Sequence, residues 1–283
     1  MSSNSLANKT LTLAISVATI TASPSCRQQP DPNLTQHAIS VSNPAMAFFV
    51  GRLVTDTIHV NTLIPQGADH DNYSPRPSQL QTLNNSTAYI AYGPLEFETT
   101  WRKRLTDAAP DMKWVEVNSH VDQIADDPHY WLSPRQARHM AADIAHAIKQ
   151  AFPSIAQHTD SALAALQADI DSADSLLTKA AQDNPGRPFV IYHPALAYIA
   201  RDYGFRQLSV ASEGVSPQPR HYAAVADSAR KAGAKVFFIQ PGMTPERVKS
   251  TAAEIGASLV TISPEAQDWP QTIKTIADAL SLQ

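Results

Sequence analysis

The chain is predicted to be an α/β protein: two lobes with mainly parallel sheets flanked by helices, joined by one long rigid helix. Three observations predict this. Strand-like and helix-like segments alternate from Ala38 onward. A second alternating set begins after Pro188. Between them runs one stretch of helical periodicity that no glycine interrupts until Asn184–Gly186. Alternation of this kind gives parallel strands connected by covering helices.

In the first set, AISVSN, IHVNTLIP, TAYIAYG and KWVEVN are short and rich in β-branched or aromatic residues, as strands are. Between them NPAMAFFVGRLV, PSQLQTLN and LEFETTWRKRL repeat apolar residues at helical spacing. SPRQARHMAADIAHAIKQAF follows as a helix with Ser133 as its cap and Pro134 at its first position. After Pro153, residues Ile155, Thr159, Leu163, Leu166, Ile170, Ala173 and Leu177 step by three or four, and Asn-Pro-Gly stops the run. A helix of roughly 30 residues is about 45 Å long, enough to back both lobes. One such helix is a stiff connection, so the lobes should open and close little. The second set comprises FVIYH, RQLSVAS, KVFFIQ and SLVTIS as strands, with ALAYIARDYG, TPERVKSTAAEIGA and WPQTIKTIADAL as helices. The expected divisions are an N-terminal lobe over 27–152, a linking helix over 153–185 and a C-terminal lobe over 186–283.

Composition narrows the function. With 283 residues, 43% of them hydrophobic and 17% charged, the chain can bury one large core or two smaller ones. Its net charge is −4, and its lysines and arginines are scattered, which argues against a nucleic-acid partner. Residues 1–26 have the layout of an export signal: Lys9, an apolar run from Leu11 to Ala22 too short to span a bilayer, then small residues. Cys26, the only cysteine, stands where a bacterial lipoprotein signal is cut, although Ser23 replaces the usual bulky aliphatic residue. The expectation is export, to the periplasm or to a lipid anchor on Cys26; the alternative is an unpaired cysteine in an uncleaved tail. A single cysteine rules out a disulfide within the chain.

Ligands of open α/β sheets bind at the carboxyl ends of strands. Three polar clusters fall there: GADHDNYSPRP (67–77), DDPHYWLSP (126–134) and VIYHP (190–194). Two histidines at element boundaries together with a carboxylate make a reasonable ligand set for a divalent transition metal. Each residue also has a plainer role. His129 and His193 could be hydrogen-bonded structural groups, His70 a solvated loop residue, and Asp69 or Asp71 a cap for the helix near Pro77. Tyr73 and Trp131 suit packing. His37, His59, His120, His139, His146, His158 and His221 look like surface or helix-face residues.

At these clusters the chain resembles the zinc/manganese class (cluster A-I) of ABC-transporter solute-binding proteins. The resemblance covers nearly all of the chain after the export segment. It is carried by GADxxxYxPxPS at Gly67–Ser78, GxxxFE at Gly93–Glu98, DPHxWLSP at Asp127–Pro134, HPAxxYxxRDYG at His193–Gly204 and, more weakly, ExGA at Glu254–Ala257. It implies two α/β lobes around a rigid helix, a metal ion between the lobes, no enzymatic reaction, and delivery of the ion by a monomer to a membrane permease.

Carried over by position, His129 and His193 are metal ligands. The family usually reads GADPHxY; here Asp71 takes the histidine's place and His70 the proline's, so either or both could serve, with Asp71 slightly preferred. The aspartate that the family often supplies after the last strand is replaced by Ser263. Glu265, two residues on, is a substitute ligand or, more ordinarily, an exposed loop acid. The short NSHVDQIADD stretch lacks the His-rich insertion of some zinc-specific members. Two imidazoles and a carboxylate favour Zn2+ over Mn2+, which takes more oxygen ligands, and affinity should fall with acidification as protons compete for the rings. The competing readings are a mononuclear zinc hydrolase, with Glu98 or Glu213 as base but no HExxH motif, and a surface lipoprotein adhesin with a structural or lost metal site.

Overall fold

The computed structural model describes residues 37–282 except 69, 126, 212–218 and 243–245. The expected export segment, with Cys26, lies outside the described residues, as does Glu213. The first sheet contains β1 (Ala38–Val41), β2 (His59–Thr62), β3 (Ser86–Ala91) and β4 (Lys113–Glu116) in the order β2-β1-β3-β4. The second contains β5 (Pro188–Ile191), β6 (Arg206–Ser209), β7 (Val236–Ile239) and β8 (Ser258–Thr261) in the order β6-β5-β7-β8. Every strand pairing is parallel. β1 and β7, inside their sheets, are buried along their whole length, whereas the edge strands β2 and β4 are partly open. That is the pattern of parallel sheets covered by helices on both faces.

The first half's covering helices are α1 (Pro44–Leu53), α2 (Pro77–Thr82), α3 (Glu96–Ala108) and α4 (Pro134–Ala151). In the second half they are α6 (Ala197–Tyr203), α7 (Pro219–Ala232), α8 (Glu246–Ile255) and α9 (Trp269–Ser281). α1 starts where the Asn43 side chain accepts from Met46 N at 3.0 Å with Pro44 in the first turn, and it buries Met46, Phe49, Val50 and Leu53. α7 was not among the helices expected from sequence. α5 (Ala156–Asp183) is a single 28-residue helix, about 42 Å long. It buries Thr159, Leu166, Ile170, Ala173, Leu177 and Ala180, and packs on α1, α4 and α9. One hydrophobic cluster therefore runs from Ile39 under the first sheet to Ile276 in α9.

Polar contacts bolt the halves together. Ser133 stands at the start of α4 but does not cap it with its side chain. Its hydroxyl instead donates to Asp202 Oδ2 at 2.5 Å, beside Gln136 Nε2 at 2.9 Å. Burial alone would raise the Asp202 carboxyl, but hydrogen bonds from Arg201, Ser133 and Gln136 hold it below the ordinary range. The expected cap of Ser133 thus gives way to a stronger, charge-assisted partner across the molecule.

The carboxyl end of β3 is built around Glu98, which is 1% exposed. Its carboxylate accepts from Tyr92 N at 3.0 Å, Gly93 N at 2.8 Å and the Ser42 hydroxyl. Burial raises its pKa from 4.5 to about 7, although these donors pull the other way. Gly93 has φ +100°, and a Cβ there would lie 2.6 Å from Asn118 Nδ2. Gly93→Ala should therefore destabilise by about 1–3 kcal/mol in urea titrations, and adding Asn118→Ala should recover only part, because the backbone strain stays. Between pH 4.5 and about 7 the unfolded chain releases a proton that folded Glu98 keeps. Stability from this group is therefore greatest at low pH and is lost, to about 3 kcal/mol, as pH rises through that window. Glu98→Gln should flatten the fall of the urea midpoint across it; an unchanged slope would contradict this account.

Candidate metal centre

The segments after β2, before α4 and after β5 meet in the gap between the carboxyl ends of the two sheets. His70 lies in the turn after β2. His129 precedes a 3-10 turn at Tyr130–Leu132 that leads into α4, and His193 follows β5, where Pro194 cannot continue the strand. Burial leaves His129 at 0%, His70 at 4% and His193 at 9% exposure. Ring centroids are 5.4 Å apart for His70–His129, 5.9 Å for His70–His193 and 5.1 Å for His129–His193. His193 Nε2 lies 3.3 Å from His129 Nε2. One nitrogen from each ring falls within 4.8 Å of the others, close enough for one ion to touch all three.

Neighbouring groups aim the rings. Asp127 Oδ1 lies 2.9 Å from both His129 Nδ1 and His129 N. If it accepts from Nδ1–H, as a carboxylate must, the lone pair sits on Nε2, facing His193. The 67–77 loop is fixed through Gln79: its Oε1 accepts from Arg76 N at 2.8 Å and from Tyr73 OH at 2.9 Å, and its Nε2 donates to Leu63 O at 2.5 Å. The N-cap of α2 is Arg76, so Asp71, weighed as a cap, does not take that place, and Asp69 lies outside the described residues.

Sequence reasoning kept both His70 and Asp71 for this loop, with Asp71 slightly preferred. The ring of His70 enters the gathered set, and Asp71 sits against it, with Oδ1 3.1 Å from His70 Nε2. Glu265, weighed as a substitute ligand or an exposed loop acid, is 9% exposed and contacts His70 Nδ1. The reason lies 133 residues away: Trp131 Nε1 donates to Pro264 O at 2.9 Å and draws the turn inward. Ser263 lines the same cleft with Gly67, Gln240 and Pro241. Tyr73 and Trp131 pack as aromatics, 6.0 Å from Phe97 and 5.1 Å from His129. Asp127 is the participant that sequence reasoning assigned no role, although a carboxylate two residues before a histidine is a recognisable orienting pattern.

Around three rings that carry no charge when neutral, the side chains of Asp71, Glu265 and Asp127 are only 9–12% exposed. Anionic groups gathered there make a cation the natural occupant. The cleft's volume is about 130 Å3, below the roughly 300 Å3 where organic-ligand pockets begin. Glu98, weighed as a general base, is committed to backbone N–H groups at the end of β3.

Residues 39–281 match the family model described as "Zinc-uptake complex component A periplasmic", ZnuA. The chain is 24% identical over 263 residues to the high-affinity zinc uptake system protein ZnuA of Bacillus subtilis, covering 82% of this chain and 81% of that protein. It is 27% identical over 154 residues to the zinc-binding protein AdcA of Streptococcus pyogenes; the match spans 53% of this chain and only 30% of AdcA's length. A crystal structure of ZnuA superposes with a TM-score of 0.80 at 30% identity, covering 87% of this chain and 99% of that one. The two sheets, the helix that backs them and the match over 39–281 agree: the chain belongs to the ZnuA family.

Proposed function

We propose that this chain is the extracytoplasmic receptor of an ABC uptake transporter, capturing Zn2+ between its lobes and delivering it to a membrane permease. It acts as a monomer and carries out no reaction on its cargo. Mn2+ is the weaker alternative ligand. The protein works in the periplasm, free or held to the membrane by lipid on Cys26. The observation that carries this reading is the set of three buried imidazoles from three distant segments, with donor nitrogens within 4.8 Å. Three nitrogen donors suit zinc better than manganese. The relatives named for zinc uptake and zinc binding support the same choice of ion.

In this reading His70, His129 and His193 are the ligands. Asp127 fixes the His129 ring, Glu265 beside Nδ1 orients the His70 ring in the same way so that Nε2 would meet the ion, and Asp71 beside Nε2 offsets the ion's charge. Ser263 borders the cleft. A cleft of about 130 Å3 leaves little room beside the ion for an organic substrate, which favours transport over hydrolysis.

Binding of an ion to the folded state alone stabilises it by about 2.7 kcal/mol at a hundredfold excess over Kd. The purified protein should therefore melt roughly 5–10 °C higher with Zn2+, and His129→Ala should largely abolish the rise. No rise in the unaltered protein would refute the proposal. In competition titrations, His70→Ala should weaken Zn2+ by more than about 100-fold, and Asp71→Asn by about tenfold. The reverse ranking would make Asp71 the ligand from the first loop.

A further inference from the structure

A second set of metal-binding side chains lies away from the cleft. An open surface hollow of about 600 Å3 lies between α4 and the segment after β4, lined by Ser119, His120, His139, Asp143 and His146 among others. His139, Asp143 and His146 are four and three residues apart on α4, so they share one face in successive turns. His120 reaches this face from the opposite wall, with Nδ1 2.6 Å from Asp143 Oδ1. Ser119 Oγ donates to Asp143 Oδ2 at 3.0 Å and steadies the carboxylate. Gln150 Nε2 lies 2.8 Å from His146 Nε2. An amide nitrogen only donates, so that ring nitrogen holds a lone pair rather than a proton. Glu116 also lines the hollow but is paired with Arg102 at 2.7 Å.

We propose that this hollow is a second, weaker site for a borderline divalent ion of the zinc class. Asp143 and His120 form its core, and one helix histidine, His139 or His146, completes it from a turn away. Two imidazoles and a carboxylate are a zinc-type donor set, and a helix face at four-residue spacing is a common way to present two of them. Among the described residues only the buried triad has three donor groups already gathered within 4.8 Å. Here the third ligand arrives by rotation of an exposed side chain. Freezing that side chain costs entropy, and the His120 side chain is 71% exposed. The ion is therefore held less tightly and exchanges faster than one in the cleft. Nothing in this inference depends on what the cleft binds.

Metal analysis after equilibrium dialysis against Zn2+ tests it. Unaltered protein should hold about two equivalents, the second released first by a weak chelator. His120→Ala and Asp143→Asn should each hold about one. A His129→Ala, His193→Ala double variant should keep the weaker equivalent and lose it when His120→Ala is added. Circular dichroism checks that each variant is folded. If no bound equivalent is lost on His120→Ala or Asp143→Asn, in the protein with an intact cleft or in the His129→Ala, His193→Ala background, the proposal is overturned.

Discussion

The arrangement of the centre depends on one hydrogen bond between distant parts of the chain, from the Trp131 indole N–H to the Pro264 carbonyl. Trp131 is buried, and its own carbonyl accepts from Trp269 Nε1 at 2.7 Å. A buried indole N–H without an acceptor is costly, so the ISPE turn is held inward and Glu265 with it. The same short segment supplies His129, gives the Asp127 carbonyl to Tyr198 OH at 2.9 Å and starts α4. The histidine, the brace and the helix start thus share eight residues, Asp127–Pro134, and a change to any one is felt by the others.

The electrostatics follow from that frame. A dication cannot be taken from water into a buried site by neutral groups alone without a large desolvation cost. The carboxylates of Asp71, Asp127 and Glu265 stand beside the histidine rings rather than in the gathered donor set. On the proposed reading, nitrogen donors would set the ligand geometry and the acids would supply the counter-charge. This division accounts for a donor set that reads as zinc-like in a site whose surroundings are strongly anionic.

Much of this was legible in the sequence. The three- and four-residue steps from Ile155 to Leu177, closed by Asn-Pro-Gly, became α5, and the β-branched runs became β1 to β8. α7 was passed over, although Tyr222, Val225, Ala226 and Ala229 repeat at helical spacing and are buried. Both His129 and His193 were named because each stands at an element boundary within a motif of the resemblance, DPHxWLSP and HPAxxY. That the His70 ring joins the gathered donor set, with Asp71 beside it, was not legible. It turns on how an irregular loop rotates, and that rotation is set by the bonds Gln79 makes to Leu63, Tyr73 and Arg76. For Glu265 the sequence left two readings, site group or exposed loop acid, and its burial against His70 goes with a tryptophan from the other half that local sequence does not show. Ser133 shows the same competition, its hydroxyl taken from a local cap by a buried carboxylate.

The three rings are divided unevenly between the halves. His70 and His129 come from segments of the first half, and His193 alone from the second. An ion losing contact with His193 would still be chelated by a pair, whereas one losing that pair would hang from a single imidazole. On the proposed three-histidine reading, departure would be stepwise and directional, with the N-terminal half the last to let go.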